Sequence, residues 1–107
     1  MTVAVEVHMG IRAHAEAQFS GPPEAALARA REAAVRIPRA GLRSVTDDAF
    51  EVTVGITFKS WGEVVRVTAL AREEGTLVRV ESRSRLRTTS ADWGKNRRNV
   101  ETVLQAL

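Results

Sequence analysis

Between Leu77 and Arg87 the chain alternates so strictly that one backbone conformation accounts for it. Val78, Val80, Ser82, Ser84 and Leu86 hold the even positions, and Arg79, Glu81, Arg83, Arg85 and Arg87 the odd ones. Side chains on a strand point to opposite faces with period two, so this is a strand with an inner face and a charged outer face. The inner face turns polar at Ser82 and Ser84, and a buried hydroxyl there needs a hydrogen-bond partner. Phe50, Val52, Val54, Ile56 and Phe58 alternate in the same way with Glu51, Thr53, Gly55, Thr57 and Lys59. From Glu63 to Ala71, Val65, Val67, Ala69 and Ala71 point inward, and Arg66 and Thr68 outward. Leu42 to Thr46 is a shorter, weaker strand. Asp47-Asp48, Ser60-Trp61-Gly62 and Glu73-Glu74-Gly75 are the turns between these strands, with Gly75 free to take a positive φ.

The longest alternation comes first. Val3, Val5, Val7, Met9, Ile11, Ala13, Ala15, Ala17 and Phe19 share one side, and Glu6, His8, Arg12, His14, Glu16 and Gln18 the other. Extended at about 3.3 Å per residue it would span roughly 55 Å, longer than a domain of this size can cover. It is expected to bend or split at Gly10, or to reach a second copy of the chain.

Two helices complete the pattern. Ser20-Gly21-Pro22-Pro23 opens the first, since Pro is tolerated in a first turn and Glu24 suits the helix dipole. Its apolar stripe is Ala26, Leu27, Ala30, Ala34 and Ile37, and Pro38 stops it. The second follows the N-cap candidates Thr89, Ser90 and Asp92. It places Trp93, Val100, Val103, Leu104 and Leu107 on one face, with Asn96 and Arg97 beside it. Gly94 in its first turn costs about 1 kcal/mol relative to Ala, which points to tight packing or a close approach there. The outer strand faces are charged, so both helices belong on the remaining face. The expected architecture is α+β in a single domain, residues 1–107. An antiparallel sheet of about five strands, in the order β-α-β-β-β-β-α, carries two helices on one face.

Ser82-Arg83-Ser84-Arg85 followed by Asp92-Trp93-Gly94-Lys95-Asn96-Arg97 resembles the ending of a group of short bacterial domains of unknown function. Those domains have a Ser-rich last strand and an Asp-x-Gly-x-Asn helix start. The element order is similar to helix-grip and TATA-binding-protein-like folds, in which an antiparallel sheet curls around a C-terminal helix. The resemblance implies a fold and carries no activity with it.

Several chemistries find no support in the residues. There is no cysteine, hence no disulfide framework and no thiolate site, which fits a cytoplasmic protein. The N-terminus lacks a basic region and an unbroken apolar core, so no signal peptide is expected, and no apolar run approaches the roughly 20 residues of a membrane span. His8 and His14 share a strand face, yet six residues of strand set them about 20 Å apart, whereas zinc binds nitrogen at about 2 Å, so one ion could join them only across a fold at Gly10 or between two chains. No metal site and no cofactor are expected. Asp47-Asp48 and Glu73-Glu74 are paired acids in turns, where solvent keeps them ordinary, and no serine nucleophile motif is present. The chain therefore reads as a non-catalytic binding or interaction module.

Two kinds of binding site suggest themselves. A helix lined with alanines can leave a cavity beneath it, with Phe50, Phe58, Trp61, Trp93 and Asn96 as lining and a small apolar ligand as occupant. Alternatively, residues 76–107 carry seven basic side chains against three acidic ones, the whole surplus of a chain with net charge +3. Arg79, Arg83, Arg85 and Arg87 line one strand face and could hold a polyanion or nucleic acid. No aromatic residues are interleaved for base stacking, Glu81 interrupts the stripe, and Glu51 and Glu63 on adjacent strands are available to neutralise it. Nucleic acid therefore stands second to a small ligand or a protein partner, including a homodimer formed through residues 3–19.

Overall fold

The computed structural model describes residues 5–8, 12–55, 62–85 and 94–107. The order of elements is β1 (Glu6–His8), β2 (Arg12–Phe19), α1 (Pro23–Ala34), β3 (Gly41–Val45), β4 (Ala49–Val54), β5 (Glu63–Arg72), β6 (Gly75–Ser84) and α2 (Lys95–Gln105). All strands join one antiparallel sheet in the spatial order β1-β2-β6-β5-β4-β3. The fold is α+β, as expected.

The long first alternation is split. Glu6–His8 folds back antiparallel on β2, with Glu6 opposite His14 and His8 opposite Arg12. That fold-back raises the strand number from about five to six. A single straight strand would have overrun the sheet, and the hairpin spends the extra length on the chain's own edge.

Register follows parity in β2, β4, β5 and β6, whereas β3 shifts register against β4 between Leu42 and Ser44. Ala13, Ala15, Ala17 and Phe19 of β2, Val78, Val80 and Ser82 of β6, Val65, Val67 and Ala69 of β5, and Phe50, Val52 and Val54 of β4 are all buried. They form one apolar face, and both helices lie on it. Helix α1 rests on β4, β5 and β6, α2 on β2, β5 and β6, and the helices touch each other. Ala26, Ala30 and Ala34 are fully buried, so α1 sits close to the sheet. Ala71 keeps the inward parity but is exposed, because β5 runs on toward its hairpin with β6. At that turn Gly75 has φ 123°. A Cβ built on it would lie 2.2 Å from the Phe19 carbonyl oxygen, so glycine is required there for space as well as conformation.

The outer face is a charge lattice. Across it run Glu51, Arg66, Glu81 and His14 in register. Arg66 lies 3.5 Å from Glu51, and Arg79 donates to Glu81 at 2.9 Å. Glu51 and Arg66 face each other across strands, a pairing that stabilises a sheet modestly, whereas Arg12 stands opposite Arg83.

Helix α2 begins differently from the expectation. Its N-cap is Gly94, in the left-handed region at φ 77°, and a Cβ there would meet nothing within 4 Å. Conformation, not crowding, explains this glycine. Thr89, Ser90 and Asp92, read as caps, lie outside the described residues. No described helix is long and apolar enough to cross a membrane.

Candidate functional site

The site is built where the ends of three elements meet. Helix α1 ends at Ala34, and the chain then tightens through Val35, Arg36 and Ile37, whose amides donate back to Arg31, Ala33 and Ala34. Arg39 takes a positive φ of 66°, uncommon for a residue with a side chain. Its carbonyl oxygen accepts from the Gly55 amide at 3.2 Å. That bond pins the segment after α1 to the end of β4. Across from it stands the first half of α2, presenting Lys95, Arg98, Asn99 and Thr102, positions that share one helical face.

Between these walls lies a cleft of about 690 Å³, lined by Ala33, Ile37 and Val54 on its apolar side and Glu63 and Asn99 on its buried polar side. Arg36, Arg39, Lys95 and Arg98 are also in its lining, and all four are exposed. Arg36 donates to Glu32 at 2.8 Å. Arg39, Lys95 and Arg98 have no carboxylate partner among the described residues.

Glu63 corrects an expectation. It was assigned to the outer face as a neutralising partner for the arginines. It lies instead on the inner face and is only 4% exposed. The signal was present: Glu63 has the parity of Val65, Val67 and Ala69. A buried carboxylate is costly unless donors surround it. The Asn99 Nδ2 donates to Glu63 Oε1 at 3.3 Å. The same nitrogen donates to Ser82 Oγ at 3.1 Å. Ser82 in turn donates to Asn96 Oδ1 at 2.7 Å, and Asn96 Nδ2 donates to Ser84 Oγ at 3.1 Å. Five side chains thus form one polar seam between α2 and strands β5 and β6. Since a carboxylate only accepts, Glu63 fixes which way round the Asn99 amide must lie. Asn99 was not singled out beforehand. Its place one turn before Val103, on the apolar stripe of α2, was the available clue.

The other candidates are dispersed. Asn96 is fully buried and occupied in holding α2 to β6. Phe50 is 2% exposed, in the core, and reaches a separate, smaller hollow of about 200 Å³ beside α1. Phe58, Trp61 and Trp93 lie outside the described residues. Of the arginine stripe, Arg79, Arg83 and Arg85 are exposed on the outer face, Arg79 engaged with Glu81, and Arg87 lies outside the described residues. The stripe and the cleft are on opposite sides of the sheet. No group of three or more metal-ligating side chains occurs among the described residues.

Comparison with known proteins bears on fold and family. No curated protein matches the chain closely enough to count as a relative. The fold is similar to the crystal structure of protein Ms6760 from Mycobacterium smegmatis, with a TM-score of 0.65 over 98% of this chain and 94% of that one. Sequence identity between the two is 8%, so the likeness is one of fold alone. Residues 10–107 match the family described as "Protein of unknown function (DUF1499)". With nearly the whole length matched, the chain belongs to the DUF1499 family.

Proposed function

We propose that the protein is a non-catalytic binding module and that its ligand site is the cleft between the end of α1 and the start of α2. The observation that carries this reading is the cleft itself. Its volume of about 690 Å³ falls within the roughly 300–1,000 Å³ of small-molecule sites, and its mix of apolar wall and a few fixed polar groups is what such sites share. Ala33, Ile37 and Val54 offer apolar contact. Asn99, held by Glu63 and Ser82, offers a polar group whose orientation is set in advance.

The same lining argues for binding rather than catalysis. Glu63 is the one carboxylate among the described lining residues, and the hydroxyl of Thr102 is spent on the Arg98 carbonyl oxygen at 2.8 Å. A nucleophile needs an activating base beside it, and the described lining holds no serine, cysteine or histidine for that chemistry.

Native mass spectrometry of protein purified from cells without added ligand tests the reading. A monomer carrying a small-molecule mass is the expected result, and a bare monomer counts against it. A dimer mass would support a second reading, self-association through residues 3–19. That reading rests on β1 being the outermost strand, paired on one side by its own chain and open to edge pairing on the other.

A further inference from the structure

Positive charge gathers around the cleft. On the outer sheet face opposite charges interleave, with Glu51 against Arg66 and Arg79 against Glu81. Around the cleft they do not. Arg39 comes from one wall and Lys95 and Arg98 from the other, and none of the three has a carboxylate partner among the described residues. Isolated exposed cations are ordinarily just solvated. Three of them converging on one concavity add their fields there, because low-dielectric walls focus the potential into the cleft.

Depth matters as much as sign. The three cations are exposed and so belong to the mouth, whereas Glu63, the only carboxylate among the described lining residues, is 4% exposed and belongs to the floor. A negative group is attracted at the mouth, and the buried part of the described lining offers it no cation. The apolar contacts, Ala33, Ile37 and Val54, lie in the same lining.

We infer that the cleft takes an organic anion bound head-outward, its acidic group at Arg39, Lys95 and Arg98 and its apolar body against Ala33, Ile37 and Val54. This rests on the cleft being the ligand site and adds the chemical class and the orientation of the ligand.

Titration of the ¹⁵N-labelled full chain with octanoate, octan-1-ol and octylammonium, followed by amide chemical shifts, tests it. Octanoate is expected to shift the amides of Ala33, Ile37, Val54 and Asn99, and to bind more tightly than octan-1-ol. That advantage should shrink as salt is raised, since exposed charges are screened. Arg39→Gln, Lys95→Gln and Arg98→Gln should each weaken octanoate by about two- to fivefold, the range of exposed ion pairs, and leave octan-1-ol unchanged. Equal binding of octanoate and octan-1-ol at these amides would overturn the anion inference while leaving the cleft as a binding site. Tighter binding of octylammonium would do the same. If no probe moves these amides, the inference falls, and a small-molecule mass retained on protein from cells decides separately whether the cleft reading falls with it.

Discussion

Glu63 on β5 accepts a hydrogen bond from Asn99 on α2 at 3.3 Å, with both side chains buried. A carboxylate so placed depends on its donors, and the donor nitrogen also serves Ser82. Asn99→Ala should therefore cost about 1–3 kcal/mol in urea unfolding, the penalty for leaving buried polar groups short of a partner. Asn99→Asp should cost more at neutral pH, because a second carboxylate would face the first. A double-mutant cycle of Asn99→Ala with Glu63→Gln should give a coupling above about 0.5 kcal/mol, as neighbours in one network do. Additive effects would show that the two residues do not act together.

The two serines of β6 should separate clearly. Ser82 bonds both Asn96 and Asn99 and is fully buried, whereas Ser84 accepts from Asn96 alone and is half-buried. Ser82→Ala is expected to lose about 1–3 kcal/mol, and Ser84→Ala about 0.5–1.5 kcal/mol. Thermal unfolding of the pair, measured side by side, checks the order.

Two glycines should fail for different reasons. Gly94 has open space around a would-be Cβ but a left-handed backbone, so Gly94→Ala should cost about 1–2 kcal/mol. Gly94→Asn should cost less, since asparagine tolerates that region. Gly75→Ala combines an unfavourable φ with a contact against the Phe19 carbonyl and should be the worse of the two alanine variants. Equal losses would remove the distinction between strain and crowding.

Close approach of α1 can be probed directly. Ala30 is fully buried beneath the helix, and Ala30→Leu should overpack that layer by about 1–3 kcal/mol. A neutral result would mean that the helix can lift from the sheet without loss.

The outer arginines offer a control on function. Replacing Arg79, Arg83, Arg85 and Arg87 together with serine should leave octanoate binding unchanged, because the three described ones lie across the sheet from the cleft. If polyanion binding is the function instead, the wild type will bind heparin with a steep salt dependence and this variant will lose it.

Parity made most of the architecture legible. Val78, Val80 and Ser82 announce their face by number alone, and so do Ala13, Ala15 and Phe19, because a strand has only two sides. The split of the first strand was readable as a length too great for one domain, though not where its first part would pair. The cleft was hidden for another reason. Its parts, Ala33 to Arg39, Val54 with Gly55, Glu63, and Lys95 to Thr102, belong to no shared pattern in the chain. They meet because strand pairing and the bond from Gly55 to Arg39 bring their ends together. Glu63 was misplaced because a charge was assumed to face water, against the parity of its own strand.

The tie between Thr76 and Gly21 joins residues 55 positions apart, in the same place where β2 pairs along β6. Its consequence is one of timing. As the chain is synthesised, β2 and α1 emerge long before the strand that holds β2 in the sheet. Helix α1, with a stripe of alanines, has little to bury until β4, β5 and β6 exist beneath it. Closing so long a loop is an entropic cost met before most native contacts form, and sheets built on such distant pairings fold slowly. Until β6 is made, β2 has a neighbour on one side only, β1 along its first three residues, and folding of this protein is a race to supply the other.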